Sequence, residues 1–170
     1  MATGPLATHV HAAHRALLPD LHELGDADRW TRTAPASVVR SRLTAALDFL
    51  VDELIPHTAV DEETIYPAVA RLVGPPGDTD ALCRYHVEVT RLASALRTIR
   101  DGLGESVTAA EREHIAALLR GLHAIVALHI AKEEKIYLPM LDRGLTADQG
   151  ARLACLMDDV ARRRRALVAA

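Results

Sequence analysis

The feature that most constrains this chain is a short pattern written twice. His57-Thr-Ala-Val-Asp61-Glu62-Glu-Thr-Ile-Tyr66-Pro67 is followed 72 residues later by His129-Ile-Ala-Lys-Glu133-Glu134-Lys-Ile-Tyr-Leu-Pro139. Each copy has a histidine, a carboxylate four residues on, a second carboxylate directly after it and a proline at plus ten. On an α-helix residues i and i+4 lie one above the other, so each copy presents an imidazole and a carboxylate on one face. The offset extends beyond the motifs. His14 and His86 are also 72 residues apart, and 43 residues separate both His14 from His57 and His86 from His129. Val10 with Leu82, Leu17 with Val89, Leu24 with Leu96, Leu43 with Ile115 and Leu50 with Leu122 keep the same interval. A repeat of this length with helical periodicity fits a helical hairpin used twice. Each half then brings one histidine on its first helix and a histidine plus carboxylate on its second.

Leucine, valine, isoleucine and alanine must fill the core, because hydrophobic residues make up 49% of the 170 and aromatic ones only 3%. Alanine and leucine are strong helix formers, and the length suffices for one core without disulfides. Cys83 and Cys155 are too few for a disulfide framework or a thiolate metal site. A net charge of −3 and a pI near 6.3 give no electrostatic case for nucleic acid. No apolar run reads as a membrane span, and the N-terminus lacks the basic and apolar stretches of a signal peptide, so a cytoplasmic location is expected.

Hydrophobic spacing predicts an all-α fold: an up-down-up-down four-helix bundle over 6–142, with an additional C-terminal helix over 146–168 as an appendage. The first helix covers 6–24, with Val10, His14, Leu17, Leu21 and Leu24 on one seam and Pro19 bending it or removing a backbone bond. Residues 25–35 read as a loop, with Trp30 over one end of the bundle. The second helix runs from Ala36 to the Gly74-Pro75-Pro76-Gly77 break, with kinks expected at Pro56 and Pro67. The third begins after Asp78 or Thr79, either a plausible N-cap, and carries Leu82, His86, Val89, Ala93, Leu96 and Ile99. The fourth opens on the Thr108-to-Glu111 capping box and continues to about Asp142, its seam reading Ile115, Leu118, Leu122, Ile125, His129, Glu133, Ile136 and Met140. Thr146 starts the last helix, and Arg162 to Arg165 close it as a solvated basic end.

Six polar residues therefore occupy core slots in aliphatic seams: His14, His57, Asp61, His86, His129 and Glu133. An isolated buried carboxylate or imidazolium costs several kcal/mol. A hydrogen-bonded polar layer without metal is one way to meet that cost. Two metal ions bridged by the two carboxylates are the other, and the pairing of all six by one repeat favours it. Imidazole and carboxylate without thiolate suit iron, manganese or zinc rather than a closed structural zinc site. An open, histidine-rich dinuclear site in a dry core points to two iron ions, with manganese or zinc less favoured.

The paired His-x-x-x-Glu-Glu-x-x-x-x-Pro motifs, with a lone histidine on the helix before each, resemble the hemerythrin-like (HHE cation-binding) family over about residues 8–142. The resemblance implies a non-haem di-iron four-helix bundle, oxo- or hydroxo-bridged, that binds or senses dioxygen, nitric oxide or peroxide. It implies His14, His57, Asp61, His86, His129 and Glu133 as metal ligands. Small diatomic molecules or peroxide are then the expected partners, with no nucleic acid and no membrane. An oxidase or peroxidase acting on a small substrate, or an iron-storage or iron-sensing protein, is the alternative. Two positions depart from the family pattern. Asp61 stands where glutamate is usual, which could hand its role to Glu62. Thr90 stands where oxygen carriers have a further histidine, leaving a vacancy that His11, one turn before His14, could fill. His9, His22, His114 and His123 read as surface or end-of-bundle residues, and Tyr66 and Tyr137 as packing residues.

Overall fold

The computed structural model describes residues 4–74 and 79–168, and among these every regular element is helical. The elements are α1 (Pro5–Gly25), α2 (Asp28–Thr31), α3 (Ala36–Asp48), α4 (Ile55–Glu63), α5 (Ile65–Val73), α6 (Asp80–Gly102), α7 (Ala109–Lys132), α8 (Leu138–Gly144) and α9 (Ala147–Val168). Two π-helical turns, Phe49–Leu54 and Glu133–Tyr137, join α3 to α4 and α7 to α8. Five long helical units result, since α3 to α5 form one irregular helix and α7 with α8 another.

Prolines explain the irregularities. A proline lacks the N–H that would bond the carbonyl four residues earlier, and its ring crowds that carbonyl. Ahead of Pro56 the backbone widens into the turn Phe49–Leu54, and ahead of Pro139 into Glu133–Tyr137. Ahead of Pro67 it breaks at Thr64 (φ −128°, ψ −65°), whose hydroxyl donates to the Val60 carbonyl. The disturbances thus lie upstream of the prolines, where the lost bonds are. Pro19 behaves differently: α1 runs through it without interruption.

The second π turn also corrects the predicted seam. A π turn holds one residue more than an α turn, so every later side chain shifts round the axis. Beyond Glu133 the buried residues are Tyr137, Leu138 and Leu141, while Ile136 is exposed and Met140 only half-buried. The Thr108–Glu111 capping box forms with both reciprocal bonds, and Thr146 with Gln149 forms a similar pair. Thr79 occupies the N-cap of α6 without a side-chain cap bond, and the Asp78 candidate lies outside the described residues. The expected loop before α3 contains the single turn α2, whose Trp30 packs against the core. Gly74 ends α5 with φ +74°, a left-handed conformation that glycine adopts without Cβ strain.

Two apolar clusters form the interior, and the predicted polar residues lie between them. One cluster holds Leu17, Leu21, Leu24, Leu43, Leu50, Leu54, Val89, Leu96, Leu122 and Val126 among others. The other holds Leu6, Val10, Val60, Ile65, Leu82, Tyr137 and Leu141. Helix α1 passes from the second cluster through His14 into the first, and α3 to α5 return through His57 and Asp61. Helix α6 passes through His86 into the first cluster, and α7 with α8 return through His129 and Glu133. Each fully buried leucine in these clusters contributes roughly 1.5–3 kcal/mol of transfer free energy. Helix α9 packs on α1 and α4 and lays Met157 and Val160 into the second cluster. Contrary to the expectation of no apolar run of that kind, the stretch Ala109–Gly144 is by length and composition apolar enough to cross a membrane. In this fold it packs on α1 and α6 and carries two of the core polar residues.

Candidate metal centre

Each motif delivers its histidine and carboxylate to one face through the i, i+4 relation. His57 Nε2 lies 3.3 Å from Asp61 Oδ2, and His129 Nε2 lies 3.6 Å from Glu133 Oε2. The two motifs face each other, with His129 Nε2 3.8 Å from Asp61 Oδ2. One donor atom from each of His57, Asp61, His129 and Glu133 falls within 4.8 Å of the others, a grouping able to hold a metal ion. The two lone histidines flank this group. His14 lies against His57 with ring centroids 5.3 Å apart and brings Nε2 to 3.2 Å from Glu133 Oε2. His86 lies against His129 at 4.9 Å between centroids. All six residues therefore meet in one layer.

What distinguishes the layer is how poorly it satisfies itself. His57 Nε2, both Asp61 oxygens, both ring nitrogens of His129 and Glu133 Oε1 are buried without a hydrogen-bond partner. His57 and Asp61 approach to 3.3 Å without forming a hydrogen bond, and the contacts of His129 with Asp61 and Glu133, at 3.8 and 3.6 Å, are longer than one. Buried polar groups are nearly always paired, and each unpaired one costs about 1–3 kcal/mol. The four side chains that carry these orphans each turn one nitrogen or carboxylate oxygen to a common point, the donor set of a hard or borderline cation. The residues present fit a metal.

Charge within the layer shows the same tension. Burial alone would push His14 down, but Glu133, then Glu134 and Asp61, outweigh it and raise its pKa. His129 is likewise raised against its burial, by Asp61 and Glu133. Burial would raise Asp61, yet the facing charges of His57, His129 and His14 hold it below the usual carboxylate range. His86 alone follows its burial and is lowered, the Glu62 contact notwithstanding.

Three contacts to the layer were not foreseen. The Tyr66 hydroxyl stands 3.1 Å from His86 Nε2 and its ring stacks on that imidazole, so Tyr66 is more than packing. Burial, then the nearby charges of Glu133 and Asp61, raise its pKa far beyond the ordinary phenol range and keep the hydroxyl protonated. Glu134 Oε1 meets His14 Nδ1 at 3.0 Å, and Glu62 Oε1 meets His86 Nδ1 at 2.7 Å. The proline-altered backbone and the interhelical distances decide these contacts, and neither is written in the motif spacing. Tyr137 is buried, with the Lys132 ammonium 5.8 Å from its ring. Thr90 lies at the surface with its hydroxyl donating to the His86 carbonyl, and His11 stays outside the layer beside Glu134 in a separate cavity. His22 and His114 are exposed, and His9 and His123 are half-buried away from the layer.

A cavity open to solvent includes His57 in its lining. It has a volume of about 310 Å³, lies between α1, α4 and α9, and has Ala13, Leu17, Val60 and Met157 in its walls. His57 is also the most open of the six, its side chain 11% exposed against 0% for Asp61. His9 and Asp158, 3.6 Å apart, lie at the cavity's margin.

Comparison with protein families matches residues 6–141 to the hemerythrin HHE cation binding domain. Neither the curated proteins nor the solved structures compared with the chain gave a match.

Proposed function

We propose that this chain, which belongs to the hemerythrin HHE cation-binding family, is a non-haem di-iron protein that binds or senses dioxygen, nitric oxide or peroxide. The observation that carries this reading is the set of unpartnered nitrogens and carboxylate oxygens converging at one level of a dry core. The alternation of α1, α3 to α5, α6, and α7 with α8 between the two apolar clusters supports an up-down-up-down bundle around that level. In this reading His14, His57, Asp61, His86, His129 and Glu133 would hold the two ions. When bound, the ions would supply a site for small ligands and a reservoir of one or two electrons.

The chain's own residues shape the rest. Leu54, Val60 and Val126 exclude bulk water from the layer, which strengthens every charge interaction inside it. The cavity ending at His57 gives small solutes a way in. The Tyr66 hydroxyl keeps its proton and presents it to the inner face of His86. That proton donor suits a small oxygen- or nitrogen-containing ligand. Azide titration of iron-loaded protein, followed by its charge-transfer absorption, tests the reading. Saturable binding that disappears in His57→Ala supports it, and no spectral change at millimolar azide contradicts it.

The same cavity favours a second reading, turnover of a small substrate or of peroxide, because an open pocket at a metal ligand is the usual place for one. Steady-state peroxide consumption by the iron-loaded protein separates the two, being sustained for an enzyme and stoichiometric for a sensor or carrier.

A further inference from the structure

The lone histidines face a problem that the motif histidines do not. His57 and His129 share a helix with Asp61 and Glu133, and the helical turn sets their spacing. His14 and His86 arrive alone on α1 and α6, with no carboxylate one helical turn away to set the ring's orientation or to choose between its two neutral tautomers. Each is met by the second carboxylate of a motif, and the partnership crosses the repeat. Glu134, from the second half, meets Nδ1 of His14 in the first at 3.0 Å; Glu62, from the first half, meets Nδ1 of His86 in the second at 2.7 Å.

Both contacts share one geometry. The glutamates stand at the rim, with side chains 36% and 43% exposed, while the imidazoles they meet are buried. An ionised carboxylate only accepts, so Nδ1 carries a proton in both rings. Nε2 of His14, facing Glu133 Oε2, carries one as well until a cation takes its place, whereas Nε2 of His86 accepts from the Tyr66 hydroxyl. That leaves Nε2 as the nitrogen turned inward, towards Glu133 Oε2 in His14 and the Tyr66 hydroxyl in His86. A ligating imidazole whose other N–H is held by a carboxylate is fixed in ring orientation and made more basic.

We propose that Glu62 and Glu134 are positioning residues and not ligands: each fixes the Nδ1–H tautomer and ring orientation of the other half's lone histidine. Neither repeat half then builds a complete site without its counterpart. The inference rests on the metal-binding reading and extends it to residues outside the layer.

The test uses the full chain loaded with zinc, a diamagnetic probe, and reads both affinity and the histidine ring nitrogens by NMR. Glu62→Ala should weaken zinc binding about 10–100-fold and abolish the slowly exchanging Nδ1–H signal of His86 alone. Glu134→Ala should do the same for His14 alone. Glu62→Gln and Glu134→Gln keep an accepting oxygen, so each should retain its signal and recover most of the affinity. Equal losses in the Ala and Gln variants would mark the glutamates as ligands and overturn the proposal, as would Ala variants that bind zinc like the parent. Failure of the parent protein to take up zinc would overturn the metal reading itself, a separate outcome visible in the same titration.

Discussion

Acidity is the perturbation that most directly tests the charge arrangement of the layer. In the metal-free protein His14 and His129 have raised pKa values, because the surrounding carboxylates outweigh the effect of burial. Asp61 is lowered and already ionised at neutral pH, and His86 is lowered and already neutral. Metal binding must therefore displace one proton from each of His14 and His129. Between their ordinary value of 6.5 and the raised values, two protons should leave per loaded site. Apparent affinity should then rise about a hundredfold per pH unit in that window, since each released proton contributes a factor of ten, or about 1.4 kcal/mol. The sign for the metal-free fold is the opposite. A histidine with a raised folded pKa contributes stability that is fully present below 6.5 and is lost as pH rises through the folded value. Asp61, being lowered, contributes stability above its ordinary 3.8 that is lost as pH falls through the folded value. The metal-free melting point should decline above pH 6.5 while the metal-dependent increment grows. Calorimetric titration in buffers of different ionisation enthalpy counts the protons directly. A proton release near zero, or an affinity that falls with pH, would refute the reasoning.

Other expectations follow from the same geometry. Stripping the metal should lower the melting point by about 5–10 °C at ligand concentrations near a hundred times Kd, from roughly 2.7 kcal/mol of linkage, with helicity by circular dichroism largely retained. Tyr66→Phe removes the hydroxyl facing His86 Nε2 and should destabilise the metal-free protein by about 1–3 kcal/mol in urea melts; an unchanged midpoint would show the contact to be idle. Leu122→Ala, at a fully buried position of the cluster beneath the layer, should cost about 2–5 kcal/mol with metal stoichiometry intact, and a loss of metal there would mean the clusters and the site are not separable.

The sequence made the site more legible than the helices that carry it. His14, His57, Asp61, His86, His129 and Glu133 could be picked out because all six interrupt apolar seams and obey one offset, and the fold brings all six together. The capping box at Thr108 was readable because its partner Glu111 is local. The π turn after Lys132 was not, because a proline announces a lost hydrogen bond but not whether the backbone widens or breaks. Pro139 produced a π turn and Pro67 a break at Thr64, although both stand at plus ten in the same motif. Glu62, Glu134 and Tyr66 escaped for another reason: their partners lie on other helices, and contacts between helices depend on packing distances that one-dimensional spacing does not contain. For α9 the apolar face was visible, whereas its docking on α1 and α4, which walls the cavity at His57, was not.

The central claim is that the polar layer is built for two metal ions, chiefly iron, and elemental analysis of protein purified without chelators measures it most directly. The account predicts close to two ions per chain, with His57→Ala and His129→Ala each losing at least one. Metal-free protein from iron-replete cells, or full occupancy in both variants, would contradict it.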